Sequence, residues 1–390
     1  MTYSVSNDLQ LANNLIVDDF CGVILIDVKG LYIHFPFCKH LCNYCDFYKF
    51  QLEPSKLKDF KSNIRSQINL IDSDKFNFEG LETIYLGGGT PSLWSLDLLN
   101  FLDELNSRLS INKSKLKEVT LEVDPDTWTE SDFDAWLTWG INRFSIGVQA
   151  MEKSVLGKLD RRHNIDEIEK TLKYLSDRDL NYSVDFLMGA PVKTRDIRNE
   201  LDKVLKYRPK HISSYILKTR ANYPHKSELP SDDICADEYL LLSTHLKEHG
   251  YEHYEVSNFA KPGYKSRHNS AYWELENILA IGPNATGFYT EKGQAKRYQV
   301  KANSSEFLYE NLTSSEEKLE RIYLQLRTNK GISLRDYFSA DEINKLRNNL
   351  VRWDEEGYFE EFDNTVLKLN SKGFLVLDNL MDEFFKYTSI

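Results

Sequence analysis

Leu31-Tyr32-Ile33-His34-Phe35-Pro36-Phe37-Cys38-Lys39-His40-Leu41-Cys42-Asn43-Tyr44-Cys45 is the stretch on which the fold turns. Leu31–Phe35 reads as a short strand. Three cysteines follow it directly, spaced C-x3-C-x2-C. Three thiolates can hold three irons of a cubane cluster and leave the fourth iron open, whereas four cysteines would close it for electron transfer alone. An open iron can chelate a small ligand through an amino group and a carboxylate. Two other readings stay open at this point. Zinc could recruit His34 or His40, although structural zinc sites usually pair short CxxC or HxxxH units. The cysteines could also be unligated core residues.

The neighbourhood repeats one pattern. Strands are expected at Leu31–Phe35, Thr83–Leu86, Val119–Val123, Arg143–Ile146, Tyr182–Leu187 and His211–Ile216. Helical periodicity lies between them, at 56–71, 95–109, 131–139, 152–160, 166–177 and 196–206, with Asp166 and Asp196 as expected N-caps. Alternating strands and helices mean a parallel sheet with right-handed crossovers, either doubly wound or a barrel. Chemistry in such sheets gathers at the C-terminal ends of the strands. Unusual residues stand there: Cys38, the run Gly87-Gly88-Gly89-Thr90-Pro91, Glu122 and Asp124, Gly147 and Gln149, and Asp185 before Gly189. These point to one shared site.

After about residue 220 the pattern changes. A helix is expected at 233–249, then irregular chain over 251–290. Helices at 315–328, 333–338 and 340–356 precede a hairpin, Tyr358–Phe362 and Val366–Leu369, turned at Asp363–Asn364, and a last helix covers 371–387. Helices followed by a two-stranded wing resemble a winged-helix module, but this one carries acidic residues where a nucleic-acid reader would carry basic ones. Residues 1–29 read as an extension with an edge strand through Val23–Ile26. The division is thus 1–29, a domain over 30–225, a linking region 226–312 and a C-terminal module 313–390.

The chain has 390 residues, with 49 Lys+Arg against 60 Asp+Glu, a net charge of −11. That balance argues against nonspecific nucleic-acid binding, which needs clustered cations. Cys21, Cys38, Cys42, Cys45 and Cys235 do not form a secreted disulfide framework. A reduced, cytoplasmic setting is expected. No apolar run is long enough for a membrane span, and no signal peptide is expected.

The cysteine spacing, followed by Asp46-Phe47-Tyr48, is similar to the signature of radical S-adenosylmethionine (SAM) proteins. Tyr32-Ile33-His34-Phe35-Pro36-Phe37-Cys38 resembles the coproporphyrinogen dehydrogenase branch of that superfamily, over roughly residues 30–290. The resemblance implies an α/β fold: a radical SAM partial (β/α)6 barrel with a C-terminal helical, winged-helix-like module. It implies a [4Fe-4S] cluster on Cys38, Cys42 and Cys45. It also implies SAM contacts from Tyr32, Tyr44, Gly88, Gly89, Thr90, Glu122, Gln149, Arg161 and Asp185. Glycine suits a backbone that must approach a ligand. Arginine suits a carboxylate. A charge inside an apolar strand, as at Asp185, seldom lacks a partner. Arg162 rivals Arg161.

Within that branch the dehydrogenases carry a further cysteine where Phe47 stands here. Cys45-Asp46-Phe47 and His268-Asn269-Ser270-Ala271-Tyr272-Trp273, an HNxxYW pattern, instead resemble the HemW-type haem chaperones. That likeness implies haem as a ligand, with His268 as an axial residue, a haem-acceptor protein and an electron donor. The chain departs from the pattern at Asn284 and Thr286. The alternative function is oxygen-independent oxidative decarboxylation of coproporphyrinogen III, in which a 5′-deoxyadenosyl radical abstracts hydrogen from a propionate.

Overall fold

The computed structural model describes residues 25–71, 75–302, 304–363 and 365–387. Six parallel strands run where the periodicity places them: β1 (Gly30–Phe35), β2 (Thr83–Gly88), β3 (Glu118–Val123), β4 (Arg143–Gln149), β5 (Tyr182–Met188) and β6 (His211–Ile216). They lie side by side in chain order. Their crossovers carry α1 (Pro54–Ile71), α2 (Ser95–Arg108), α3 (Glu130–Trp139), α4 (Lys153–Lys158), α5 (Ile165–Asp177) and α6 (Ile197–Leu205).

The physical reason is alternation. Successive strand residues point to opposite faces. One face carries Leu31, Ile33, Ile84, Leu86, Val119, Leu121, Phe144, Ile146, Val184 and Ile212, all buried in the apolar core with Leu98, Leu102, Phe133, Ile168 and Leu172 of the helices. Removing an aliphatic side chain of this size from water contributes about 1.5–3 kcal/mol. The other face carries Tyr32, His34, Thr83, Tyr85, Glu118, Glu122, Arg143, Ser145, Ser183, Asp185 and His211. That polar face is the interior of the barrel.

Helix starts follow capping chemistry. At α5 the cap is Asn164, not Asp166. Asn164 Oδ1 accepts from Glu167 N at 3.0 Å, and Glu167 Oε2 accepts from Asn164 N at 2.9 Å. This reciprocal box satisfies two orphan donors at once, whereas Asp166 lies within the first turn. Asp196 caps α6 as expected.

The largest departure lies in 251–290. The chain there is not irregular but forms β7 (Glu252–Glu255), β8 (Asn258–Ala260), α8 (Arg267–Trp273), β9 (Ile278–Ile281) and β10 (Thr286–Glu291), after α7 (Asp232–Glu248). With β11 (Gln294–Val300) and β12 (Phe307–Asn311) they extend the sheet to twelve strands, ordered β7-β8-β6-β5-β4-β3-β2-β1-β9-β10-β11-β12. β9 runs parallel to β1, pairing Ile278 with Gly30 and Ile281 with Ile33. Such short strands, punctuated by Gly, Asn and Pro, leave little periodicity to read. Of these, β9 draws its partner β1 from some 250 positions away, while β8 pairs with β6.

The C-terminal module follows the expected order. α9 (Ser314–Leu326), β13 (Ile332–Ser333), α10 (Leu334–Tyr337) and α11 (Ala340–Glu355) precede the hairpin of β14 (Phe359–Phe362) and β15 (Val366–Leu369), and β13 pairs with β15 to make the wing three-stranded. The last helix is two, α12 (Ser371–Leu375) and α13 (Leu377–Tyr387), broken at Val376. One buried cluster joins Phe186, Ile212, Leu242 and Phe259 at the β5–β6 side of the barrel to Leu326, Leu350, Trp353 and Phe374 of the module. The strand expected at Val23–Ile26 falls mostly outside the described residues. Ile26–Asp27 pairs instead with Phe76–Asn77, apart from the main sheet.

Gly282 follows β9 where the chain crosses β1. Its φ is +96°, and a Cβ there would sit 2.2 Å from the His34 carbonyl oxygen. Its N–H donates to Gln67 Oε1 of α1 at 2.7 Å. Gly282→Ala combines backbone strain with a backbone clash, so a loss of about 2–4 kcal/mol is expected. A denaturant midpoint unchanged from wild type would contradict this account of the β1–β9 seam.

Candidate functional site

Register assembles the site. Tyr32 pairs with Tyr85, and Gly87 and Gly88 continue β2 beyond it. Glu122 pairs with Ser145, and Asp185 with Ser213. The polar rows thereby converge on a cavity of about 650 Å³ at the C-terminal ends of the strands. Cys38, Cys42, Tyr44, Cys45, Gly88, Gly89, Thr90, Glu122, Gln149, Arg161 and Asp185 all line it. Of the ligand contacts that the resemblance implies, Tyr32 and His268 do not. They line a second cavity.

The three thiols are free and half-buried on the loop after β1. Burial pushes the Cys38 thiol up to about 11, partly offset by a hydrogen bond with Thr90. Burial also raises Cys42, opposed by the charge of Arg161. Left alone, these groups are neutral thiols, and coordination would supply the stabilisation that deprotonates them. Cations stand ready to balance the thiolates: Arg161 Nη1 lies 3.7 Å from Cys42 Sγ, and Lys49 Nζ donates to the Cys45 carbonyl at 2.7 Å. The donor set fits an iron–sulfur cluster held at three corners.

Arg161, not Arg162, is the buried one, with 12% of its side chain exposed. It ion-pairs with Asp124 and donates to the Gly147 carbonyl at 3.2 Å. Asp124 Oδ1 also meets His163 Nδ1 at 2.7 Å. Arg161 and His163 hold the Asp124 carboxyl below the usual carboxylate range despite its burial. Gln149 ends β4 with φ at +67°, a left-handed conformation rare for a side-chain-bearing residue and common at ligand sites.

Glu122 accepts from Tyr85 Oη at 2.9 Å and from Gly88 N at 3.0 Å. Burial, with the Asp185 charge second, pushes Glu122 up to about 7. Burial also raises Asp185, countered by its bonds with Ser145 Oγ at 3.0 and 3.1 Å. Two buried carboxylates facing one cavity make it favourable for a cation. The glycine requirement at the β2 turn comes from the chain itself. A Cβ on Gly89 would lie 2.5 Å from the Phe37 carbonyl oxygen, and one on Gly88, at φ +116°, 2.7 Å from the His34 ring.

The second cavity, about 560 Å³, is lined by Tyr32, His34, Phe47, Tyr48, Tyr85, His268, Asn269, Tyr272, Asn284 and Thr286 among others. Tyr85 borders both cavities. His268 lies on α8, which closes the N-terminal end of the barrel. Glu118 fixes that helix: its carboxylate accepts from Arg267 N at 2.9 Å, His268 N at 3.0 Å and Ser266 Oγ at 3.3 Å. A carboxylate at a helix N-terminus satisfies donors that the helix leaves orphaned. His268 is 1% exposed. Its Nδ1 meets Thr83 Oγ1 at 2.8 Å, while its buried Nε2 has no hydrogen-bond partner among the described residues. Burial lowers its pKa to about 3, so the ring is neutral.

Tyr85, Glu118, Arg143 and His163 were missed from sequence. Tyr85, two residues before Gly87, shares that residue's face by strand alternation, a signal that could have found it. His163 carries no comparable signal.

Three comparisons bear on this geometry. Residues 32–205 match the model of the radical SAM superfamily. The haem chaperone HemW of Escherichia coli K12 is 34% identical over 67% of this chain and 70% of its own length. The haem chaperone HemW of Bacillus subtilis is 30% identical over 78% of this chain and 85% of its own. Among solved structures, the coproporphyrinogen III oxidase HemN of E. coli, a radical SAM enzyme, superposes with a TM-score of 0.77 at 19% identity, over 93% of this chain and 91% of its own, which shows the shared fold. With three free thiols after the first strand of such a barrel, and with relatives this similar along most of its length, the chain belongs to the HemW-type family of radical SAM proteins.

Proposed function

We propose that this protein is a haem chaperone. It holds a [4Fe-4S] cluster on Cys38, Cys42 and Cys45, SAM in the cavity those thiols line, and haem in the adjoining cavity with His268 Nε2 on the iron. It passes the haem to an acceptor protein. Residues 30–225 carry cluster and SAM, 226–312 carry the haem-ligating helix, and 313–390 complete the chain as a C-terminal module.

The observation that carries this reading is the state of His268. A metal-ligating imidazole is neutral, with its other ring nitrogen held by a fixed partner. His268 has a neutral ring, Nδ1 against Thr83 and Nε2 unpaired in a cavity wall. Tyr32, Phe47 and Tyr272 give that cavity aromatic surface for a porphyrin face. Phe47, 64% exposed, stands where the dehydrogenases carry their further cysteine, which supports the chaperone over decarboxylation.

A cluster held by Cys38, Cys42 and Cys45 would supply an open iron for the amino and carboxylate groups of SAM and a route for an electron from an external donor. The chain's own part is binding and charge balance. Backbone carbonyls of Gly88–Thr90 receive the methionyl ammonium. Glu122 and Asp185 provide carboxylates for the ligand's positive charge and ribose hydroxyls. Gln149 and Tyr44 complete the wall, with Tyr32 behind Tyr85. Arg161 offsets thiolate charge at Cys42 and meets the methionyl carboxylate.

Haem titration under anaerobic conditions tests the proposal. His268→Ala should weaken haem binding at least about tenfold and shift the Soret band, since even losing a residue that only hydrogen-bonds to a metal ligand costs that much. Equal affinity and an unchanged spectrum would remove His268 as the ligand. Cys42→Ala should lower iron per chain to background after reconstitution, and retention of a full iron complement would refute the three-cysteine site. Glu122 is protonated below pH 7 and anionic above it. SAM binding by equilibrium dialysis should therefore tighten several-fold from pH 6 to 8 and become flat in Glu122→Gln. An identical profile in the variant would exclude Glu122 as the titrating contact.

A further inference from the structure

A group of possible metal ligands stands on the outer surface, where α6 meets α7. Asp202 of α6, His245 of α7 and His249 at its C-cap each offer a ligand atom, and these atoms lie within 4.8 Å of one another. We propose that Asp202, His245 and His249 form a site for a divalent transition metal of the zinc class, independent of the barrel interior.

The hydrogen bonding carries the inference. His249 Nδ1 donates to the His245 carbonyl at 2.8 Å, which leaves its Nε2 as the lone-pair nitrogen. His245 Nε2 lies 2.7 Å from Asp202 Oδ1. Its Nδ1 is buried without a hydrogen bond among the described residues, and the nearest carboxylate oxygen, Glu248 Oε2, is 3.8 Å away. With a metal between Asp202 and the two Nε2 atoms, both imidazoles direct Nδ1–H toward an outer acceptor. For His249 that is a backbone carbonyl, and for His245 it is the Glu248 carboxylate. This is the outer arrangement that fixes tautomer and ring orientation in metal sites.

The donor chemistry and placement agree. Two imidazoles and a carboxylate suit Zn²⁺ and its first-row neighbours rather than Mg²⁺ or Ca²⁺. Ligands of one tetrahedral zinc, at about 2.0–2.1 Å from it, are roughly 3.3 Å apart, so no pair of these atoms needs to close by more than about 1.5 Å. Asp202 and His249 are exposed and free to do so, while His245, 3% exposed, is the fixed point. The last carbonyls of α7 add favourable partial charge for a cation at that end. Arg198, 3.9 Å from Glu248, is a nearby positive charge that opposes it. A metal here ties the last barrel helix to the helix that packs on the C-terminal module.

The test uses untagged, full-length, cluster-loaded protein, so that the cysteines are already occupied. Calorimetric titration with Zn²⁺ should give one saturable site per chain. His249→Ala and Asp202→Asn, both at the surface, should each weaken it at least about tenfold while iron content stays unchanged. Zn²⁺ should raise the Tm of wild type and not of either variant. Co²⁺ should show d–d bands without thiolate charge-transfer absorption. The proposal is overturned by no saturable binding, by equal affinity in wild type and both variants, or by thiolate charge-transfer bands, which would place the metal on cysteine.

Discussion

A parallel strand has two faces, and in this sheet they serve incompatible environments. The row facing the helices must be apolar to bury them. The row facing inward is built from Tyr32, Tyr85, Glu122, Arg143, Ser145, Asp185 and His211, and every one of these polar groups must find a partner or a ligand. Neighbouring strands supply the partners: Tyr85 to Glu122, Ser145 to Asp185, Ser183 to His211 at 2.8 Å. The interior is thereby tied across strands, and a one-residue slip of register would turn the whole polar row into the apolar layer. The cavities exist because that register is fixed.

Charge is distributed along the same rows. Carboxylates of Glu122 and Asp185 sit deep, while Arg161 and Lys49 stand at the cysteine rim. Arg161 keeps its charge in the interior because Asp124 pays part of the desolvation cost. Its planar fork reaches Asp124, the Gly147 carbonyl and Cys42 at once, which a lysine could not.

The barrel was legible because its strands and helices carry period-two and period-four patterns of their own. The cysteine loop, the glycine turn and Glu122 were legible because each stands at a strand end. Other features depend on pairing. β7 to β10 are too short to announce themselves, and β9 is stable only beside β1. Tyr32 was read as a neighbour of the cysteine cavity, but alternation and register set it against Tyr85 and His34 in the second one. The preference for Arg161 over Arg162 is a matter of which side chain turns inward, and spacing alone does not reveal it. Asn284 and Thr286 both line the cavity beside His268.

The β1–β9 pairing also has a consequence in time. β1 carries the cysteine loop, yet one of its two neighbours is encoded about 250 residues later. At roughly 5–20 residues per second, a ribosome needs on the order of ten seconds to a minute to deliver it. Through that interval β1 is an edge strand with a row of unpaired backbone groups, and long-range parallel pairing of this kind is slow to form even once the chain is complete. The nascent cysteines therefore spend that time on an open sheet edge, accessible to iron–sulfur donors and equally to oxidants. The order of synthesis thus leaves the strand that carries the three cysteines incompletely paired until β9 emerges.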